Sequence, residues 1–243
     1  METESINRIE HELAFDSEDL LNSLSITATT PPAHRVSYMT VPEMPEVLKN
    51  RVIRTNRCFS TKVCMLDSSG SLLLSASDSV FAWKIRTPEG HTVGKLRRNI
   101  IGTKYLLRPV KQGSTGCFIK YHDLYSSAGP RMFSVYVDPL DTPHKKSLQE
   151  RVQKNTCEYV KMVNKPPQFN HETNSYVLNF DGRVTMPSTR NFQIIHPKDT
   201  SYISMTFGKV AENEYILDYA YPWCALDAFS VALSSFPSKF WLE

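Results

Sequence analysis

The last helical segment of this chain has no polar face. From Trp223 to Leu233 the apolar residues point in nearly every direction at about 100° per residue, and Pro222 suits a first helical turn because its missing N–H is harmless there. A helix that is apolar all round must be enclosed by the rest of the fold. The segment is interrupted by Asp227 and Ser230 and falls short of the roughly 20 apolar residues of a bilayer span. We therefore predict a core helix rather than a membrane anchor.

Short runs rich in Val, Ile, Tyr and Phe precede this helix and are separated by turn-forming residues. A polar amphipathic stretch, Lys146 to Lys154, predicts a small surface helix between strands. Only a closed or nearly closed shell of strands could bury the apolar helix, so the pattern favours an antiparallel sheet wrapped around it. We count twelve candidate strands, near residues 51–58, 61–67, 71–77, 79–86, 102–108, 115–122, 132–137, 157–162, 174–180, 190–196, 201–208 and 214–219.

Several motifs occur in the order and near the spacings of one protein family. They are Gly94-Lys-Leu-Arg-Arg-Asn99 with Gly102-Thr103, Gly129-Pro-Arg131, Lys165-Pro-Pro-Gln-Phe169, Tyr176-Val-Leu-Asn-Phe-Asp-Gly-Arg-Val-Thr185, Asn191-Phe-Gln-Ile-Ile195, Phe207-Gly-Lys-Val210, Asp218-Tyr-Ala-Tyr-Pro222, Cys224-Ala-Leu226 and Ala232-Leu-Ser-Ser-Phe236. On these residues the chain resembles the tubby-like protein family over about residues 46–243. The resemblance implies a mainly β fold with a central helix: a closed antiparallel twelve-stranded barrel enclosing an apolar C-terminal α-helix.

Charge divides the chain into two parts. The 243 residues are 41% hydrophobic and 22% charged, which suits one globular domain. Residues 1–45 carry 2 Lys and Arg against 8 Asp and Glu, which leaves residues 46–243 with a net charge of +9. We expect an acidic, mostly disordered tail over 1–45 and a tubby-like barrel over 46–243. Scattered apolar residues of the tail either dock a protein partner as a transient helix or belong to an ordinary solvated segment.

No motif in the sequence predicts catalysis, a metal site or a cofactor. The five cysteines are odd in number and contain no Cys-x-x-Cys pair, which argues against a disulfide framework and a zinc site. His11-Glu12 lacks the second histidine of a zinc-protease motif, because Phe15 stands in its place. The chain also begins without a secretory leader. We therefore expect a non-enzymatic protein of a reducing, cytoplasmic compartment.

One cationic motif suggests a binding site. On a strand, Lys95, Arg97 and Asn99 share one face, so that two cations and an amide could converge on a polyanionic head group. In tubby-like proteins the arginine of this motif helps hold the phosphates of phosphatidylinositol 4,5-bisphosphate, and the resemblance places that role on Arg97. The alternative interpretation is a solvated basic strand without a ligand.

The neighbouring hairpin departs from the family. Tubby-like proteins typically place lysines and arginines there, whereas this chain has Leu74-Ser-Ala-Ser-Asp-Ser79 in a shortened hairpin. Lys84 and Arg86 lie two residues apart on the following strand, and Arg54 and Arg57 of the first strand could join them. We therefore predict a shifted head-group site; it consists of Lys84, Arg86, Lys95 and Arg97, with Asn99 and Arg54 beside them.

The resemblance implies a phosphoinositide-binding adaptor that lies on the inner face of the plasma membrane and helps traffic membrane proteins, including to cilia. Its expected partners are phosphatidylinositol 4,5-bisphosphate or a related phosphoinositide, and protein cargo or trafficking machinery reached through the N-terminal tail. The alternative is a protein-interaction scaffold that has lost lipid binding, which the cation-free hairpin favours. Nucleic-acid binding would need aromatic residues interleaved with cations, and only Phe81 and Trp83 beside Lys84 and Arg86 suggest it.

Overall fold

The computed structural model describes residues 38–56, 60–110, 116–122, 131–138, 147–156, 159–172 and 174–236. These residues contain fourteen strands and two helices. In chain order they are β1 (Leu48–Asn56), β2 (Thr61–Leu66), β3 (Leu72–Ser79), β4 (Ala82–Arg86), β5 (Thr92–Arg98), β6 (Lys104–Pro109), β7 (Cys117–His122), β8 (Met132–Val137), α1 (Leu148–Lys154), β9 (Val160–Asn164), β10 (Gln168–Asn170), β11 (Ser175–Val177), β12 (Phe192–His196), β13 (Asp199–Ala211), β14 (Glu214–Tyr219) and α2 (Ala225–Ser234).

Twelve of these strands close into one antiparallel barrel in the order β1-β14-β13-β12-β9-β8-β7-β6-β5-β4-β3-β2. Closure is made by β1, in which Arg51 lies opposite Ile216 of β14 on one side and opposite Leu66 of β2 on the other. Strands β10 and β11 pair with each other in a separate two-stranded sheet. The predicted closed twelve-stranded barrel is therefore confirmed.

The number twelve agrees with the sequence prediction because two errors offset each other. The strand predicted near 174–180 is the short β11, whose Tyr176 and Val177 are exposed and which lies outside the barrel sheet. The barrel strand β5 was absent from the twelve candidates. Its Gly94 and its three cations weaken the strand pattern. Pairing with β4 on one side and β6 on the other holds it in the barrel sheet.

Helix α2 lies inside the barrel, as its apolar circumference predicts. Every residue from Ala225 to Ser234 is buried, and so are Trp223 before it and Phe236 after it. Its hydroxyl groups are satisfied within the helix: Ser230 Oγ donates to the Leu226 carbonyl oxygen at 2.7 Å. The prediction of an enclosed core helix is confirmed. Among the described helices, none is long and apolar enough to cross a bilayer.

Helix α1 packs against the outside of the barrel. It begins with a capping box between Ser147 and Glu150 and ends at Asn155, which adopts a left-handed conformation with φ +51°. Leu148 packs with Phe118 and Tyr136 of the barrel wall. The small helix predicted between Lys146 and Lys154 is thus confirmed over Leu148–Lys154, whereas Lys146 lies outside the described residues.

Most of the expected acidic tail, residues 1–37, lies outside the described residues. The described end of the expected tail contacts the barrel: Tyr38, Met39 and Val41 pack against the core. The Tyr38 carbonyl oxygen accepts the Leu226 amide at 3.0 Å. This bond satisfies one of the free N–H groups at the start of α2.

Candidate functional site

Strands β4 and β5 direct four predicted cations to the outside of the barrel. Lys84 lies directly opposite Lys95, and Arg97 lies opposite Ala82. The alternating residues Trp83, Ile85 and Leu96 are buried in the core, so the residues between them face outward. Lys84, Arg86, Lys95 and Arg97 therefore share one side of the wall. Because Trp83 faces the interior, it cannot serve as a stacking surface for nucleic-acid bases.

The pairing register adds two cations that the sequence analysis missed. Lys62 of β2 lies opposite Ser77, Ser77 opposite Lys84, Lys84 opposite Lys95, and Lys95 opposite Arg108 of β6. Neighbouring strands lie about 4.8 Å apart, so these residues form one row across five strands. We call the outward group the basic face; it consists of Lys62, Lys84, Arg86, Lys95, Arg97 and Arg108.

The basic face has little internal compensation of charge. Residues 60–110 carry eight Lys and Arg against three Asp and Glu. Two of these acids accept backbone amides: Asp67 those of Ser69 and Ser71, and Asp78 that of Thr61. In the described part of the chain, Lys84, Lys95 and Arg97 have no carboxylate partner. Since like charges directly opposite each other destabilise a sheet, the Lys84–Lys95 pair favours binding of an anion.

A shallow depression of about 160 Å³ lies beside this row, on the outer side of β2, β3 and β4. Short side chains on β3 create it, because Ser77 stands between Lys62 and Lys84 and Ser75 lies opposite Arg86. Arg86 Nη1 donates to Ser77 Oγ at 2.8 Å, which holds the guanidinium group over the depression. Guanidinium, ammonium and hydroxyl groups are all donors to phosphate oxygens. Its lining residues are Ser60, Thr61, Lys62, Ser75, Ala76, Ser77 and Arg86.

The expectation that Arg54 joins this site is wrong in its geometry. Arg54 follows the fully buried Val52 on the same side of β1, so it points into the barrel. Its guanidinium carbon lies 5.4 Å from the ring centroid of the buried Phe236. Among the described residues, its Nε has no hydrogen-bond partner. Arg54 thus covers the end of the core beyond α2, and Arg57 lies outside the described residues.

Asn99 is likewise not available as a ligand-binding amide. It follows the end of β5, and its Oδ1 accepts the amides of Thr103 and Lys104 at 2.8 and 2.9 Å. Its Nδ2 donates to Thr103 Oγ1 at 2.8 Å. These three bonds close the β5–β6 turn, in which Gly102 has φ +73°. Asn99 therefore shapes the loop beside the basic face, and the expectation that its amide meets a head group is corrected.

The β3–β4 hairpin is as short as the sequence predicts, since only Val80 and Phe81 join the two strands. Arg98 ties this hairpin to the β5–β6 turn: its amide donates to the Phe81 carbonyl oxygen at 3.0 Å. Its guanidinium Nη2 also donates to the Val80 carbonyl oxygen. Arg98 is thus a structural cation at the end of the basic face.

Two further basic residues have structural partners. Arg183 donates Nε and Nη2 to the two carboxylate oxygens of Asp218 at 2.9 and 2.8 Å. Lys209 Nζ donates to Glu212 at 2.8 Å. Neither residue belongs to the basic face.

Comparison with known proteins places these features in a family. The sequence model of the Tub family matches residues 114–238. Tubby-related protein 3 of Homo sapiens is 42% identical over 173 residues, which are 60% of this chain and 39% of that protein. Tubby-related protein 1 of Homo sapiens is 37% identical over 172 residues, 60% of this chain and 32% of that protein. Protein king tubby of Drosophila virilis is 37% identical over 166 residues, 60% of this chain and 36% of that protein. The chain thus spans well under half the length of these relatives.

Proposed function

Because this chain belongs to the Tub family, we propose that its basic face binds the head group of phosphatidylinositol 4,5-bisphosphate or a related phosphoinositide. The observation that carries the proposal is the Lys84–Lys95 pair, two like charges held opposite each other on the barrel wall. An isolated pair of this kind lowers stability. A polyanion that bridges the two ammonium groups removes the repulsion and gains charge-assisted hydrogen bonds.

The spacing of the cations suits a head group with several phosphates. Lys95 and Arg97 lie two residues apart on β5, which separates them by about 7 Å along the strand. Lys84 is the cross-strand neighbour of Lys95, so one phosphate can contact both ammonium groups while Arg97 holds a second. Arginine is suited to the second position because its guanidinium group binds phosphate in a bidentate manner.

Lys62 and Arg108 compensate for the binding free energy of the cations that the short β3–β4 hairpin lacks. Each cation close to an anionic membrane surface contributes about 1 kcal/mol. Loss of two hairpin cations alone would therefore weaken binding by about 2 kcal/mol, or roughly 30-fold. The two residues extend the row on both sides of Ser77, Lys84 and Lys95 and restore a contribution of that size.

We propose that the bound protein is a non-enzymatic adaptor on the inner face of the plasma membrane. In this role it links protein cargo to the membrane and assists delivery of membrane proteins, including to cilia. The acidic segment of residues 1–45 is the proposed site of contact with protein partners, since its scattered apolar residues can line one face of a transient helix.

Sedimentation with vesicles tests the head-group site. Arg97→Glu changes the local charge by two units, so affinity for phosphoinositide vesicles should fall by about 2 kcal/mol, or roughly 30-fold. Lys161→Glu is the matched control, because Lys161 is exposed on β9 and three strands separate β9 from β5. The control should bind within about threefold of the parent. Equal losses in the two variants would contradict a localised site.

A protein-interaction scaffold remains the second candidate, favoured by the segment Leu74–Ser79 of the short hairpin, which lacks the lysines and arginines that the family resemblance implies there. A folded parent protein that fails to sediment with any phosphoinositide vesicle would support the scaffold and refute lipid binding.

A further inference from the structure

Four large apolar side chains are exposed at one end of the barrel. Val80 and Phe81 of the β3–β4 hairpin are 52% and 51% exposed, and Ile100 and Ile101 of the β5–β6 turn are 70% and 50% exposed. Exposed apolar residues that occur singly are ordinary, whereas a contiguous group marks an interaction site. We call these four residues the apolar tip.

The two turns form a single unit. Strand β4 pairs with β5 between them, and both backbone and side chain of Arg98 bond to the carbonyl oxygens of Phe81 and Val80. The second turn is closed by Asn99, whose amide donates to the Lys104 carbonyl oxygen at 3.0 Å and whose carbonyl oxygen accepts the Gly102 amide at 3.1 Å. Several polar backbone groups of the tip are thereby satisfied internally. Each satisfied group lowers the cost of bringing this backbone toward an apolar medium.

The apolar tip adjoins the basic face. Arg97 comes three residues before Ile100, at most about 10 Å along the chain, and lies opposite Ala82, the neighbour of Phe81. A bilayer has the same order of chemistry, because each leaflet has a head-group layer about 5–7 Å thick outside its hydrocarbon core. Apolar residues at the tip and cations just behind it match these two layers.

Among the described residues, the opposite end of the barrel differs in charge. There the exposed apolar residues Met44 and Val47 alternate with the exposed acids Glu43 and Glu46, and Val110 is also exposed. An anionic membrane surface repels such a cluster. The charge pattern therefore favours one orientation, with the apolar tip toward the lipid.

We propose that the apolar tip inserts between the lipid acyl chains while the basic face holds the head groups. This inference rests on the proposed membrane function and adds a second, nonspecific contact to it. The apolar faces of interfacial helices enter the boundary between head groups and acyl chains by about 5–10 Å, and we expect a similar depth for the apolar tip. Insertion supplies affinity that does not depend on the hairpin cations of the family.

Quenching by brominated phosphatidylcholine tests insertion directly. The parent has three tryptophans: Trp83 and Trp223 are buried in the barrel, and Trp241 lies outside the described residues, so each variant is compared with the parent. Val80→Trp places an indole in the apolar tip, and Val110→Trp places one at a comparably exposed position at the opposite end, after β6. On phosphoinositide vesicles that contain the brominated lipid, Val80→Trp should lose additional fluorescence and Val110→Trp should match the parent. Binding without additional quenching of Val80→Trp would overturn insertion and favour a protein partner on the tip.

A double variant separates insertion from head-group recognition. Phe81→Ser with Ile100→Ser should weaken vesicle binding about 30-fold, which corresponds to about 2 kcal/mol. Its affinity for soluble inositol 1,4,5-trisphosphate should equal that of the parent, because the basic face is intact. Unchanged vesicle binding would overturn insertion. A parent that fails to bind the soluble head group, although Val80→Trp is quenched, would refute the head-group site and support insertion.

Discussion

Asp227 is a carboxyl group enclosed with α2 inside the barrel, and it should control how stability depends on pH. It is 4% exposed, and its Oδ2 accepts the Cys224 thiol at 3.2 Å. Among the described residues, its Oδ1 has no hydrogen-bond partner. Burial raises the pKa of Asp227 from 3.8 to about 7, although the Cys224 hydrogen bond opposes the shift.

The direction of the effect follows from where the proton is held more tightly. A carboxyl group with a raised pKa in the folded state retains its proton there after the unfolded chain has lost it, so the free energy of unfolding falls as the pH rises. The loss begins near the unfolded pKa of about 3.9 and is complete above the folded pKa. Its slope reaches about 1.4 kcal/mol per pH unit. Between pH 5 and pH 8 the loss is about 3 kcal/mol, and over the whole range about 4 kcal/mol.

Asp227→Asn removes this titration with almost no change of volume, and its side-chain oxygen can still accept from Cys224. Urea unfolding of both proteins at pH 5 and pH 8 gives the two free energies of unfolding. The stability of the variant relative to the parent should rise by about 3 kcal/mol between these pH values. Contributions of other titrating groups cancel in the difference. A difference that stays constant with pH would refute the burial of an ionisable Asp227.

Two further predictions concern the scaffold behind the site. Gly208→Ala would place a Cβ 2.2 Å from Val184 Cγ2, and we expect the free energy of unfolding to fall by about 2 kcal/mol. Val184→Ala in the same chain should restore most of this loss. An unchanged urea midpoint of Gly208→Ala would contradict the contact. Arg183→Met leaves the mostly buried carboxylate of Asp218 without its bidentate partner. Because Arg183 is partly exposed, water compensates part of the lost ion pair, and we expect the free energy of unfolding measured in urea to fall by about 2 kcal/mol. A fall below about 0.5 kcal/mol would show that water replaces the pair.

The sequence predicts those elements of the fold that show a continuous apolar pattern along the chain. An apolar circumference over residues 225–234 requires enclosure, which favours a closed or nearly closed shell of strands, and the family resemblance implies the closed twelve-stranded barrel. Strand β5 escapes detection because Gly94, Lys95, Arg97 and Arg98 give it little apolar alternation. Its place is set by pairing with both neighbours, which is a tertiary property.

The site shows the same division. The shared side of Lys84 with Arg86, and of Lys95 with Arg97, follows from the two-residue period of a strand. That Lys62 and Arg108 lie in the same row depends on the register between strands, which spacing along the chain does not contain.

Misplaced residues have an equally physical origin. Arg54 looks like a surface cation, but it keeps the parity of the buried Val52 and faces the core. Asn99 continues the alternation of Lys95 and Arg97 in the sequence. The strand, however, ends at Arg98, so its amide closes a turn instead. In both cases a shift of one residue decides where the side chain points: the parity of the position along β1 for Arg54, and the last residue of β5 for Asn99.

The comparison that tests the basic face most directly uses two vesicle populations of equal total negative charge. One population contains phosphatidylinositol 4,5-bisphosphate and the other phosphatidylserine alone. A nonspecific basic surface binds both equally, because only the surface potential acts on it. The arrangement of Lys84, Lys95 and Arg97 predicts at least about tenfold tighter binding to the phosphoinositide vesicles, or about 1.4 kcal/mol, and loss of this preference in Arg97→Glu. Equal affinity of the parent for the two populations would contradict a head-group site on this barrel.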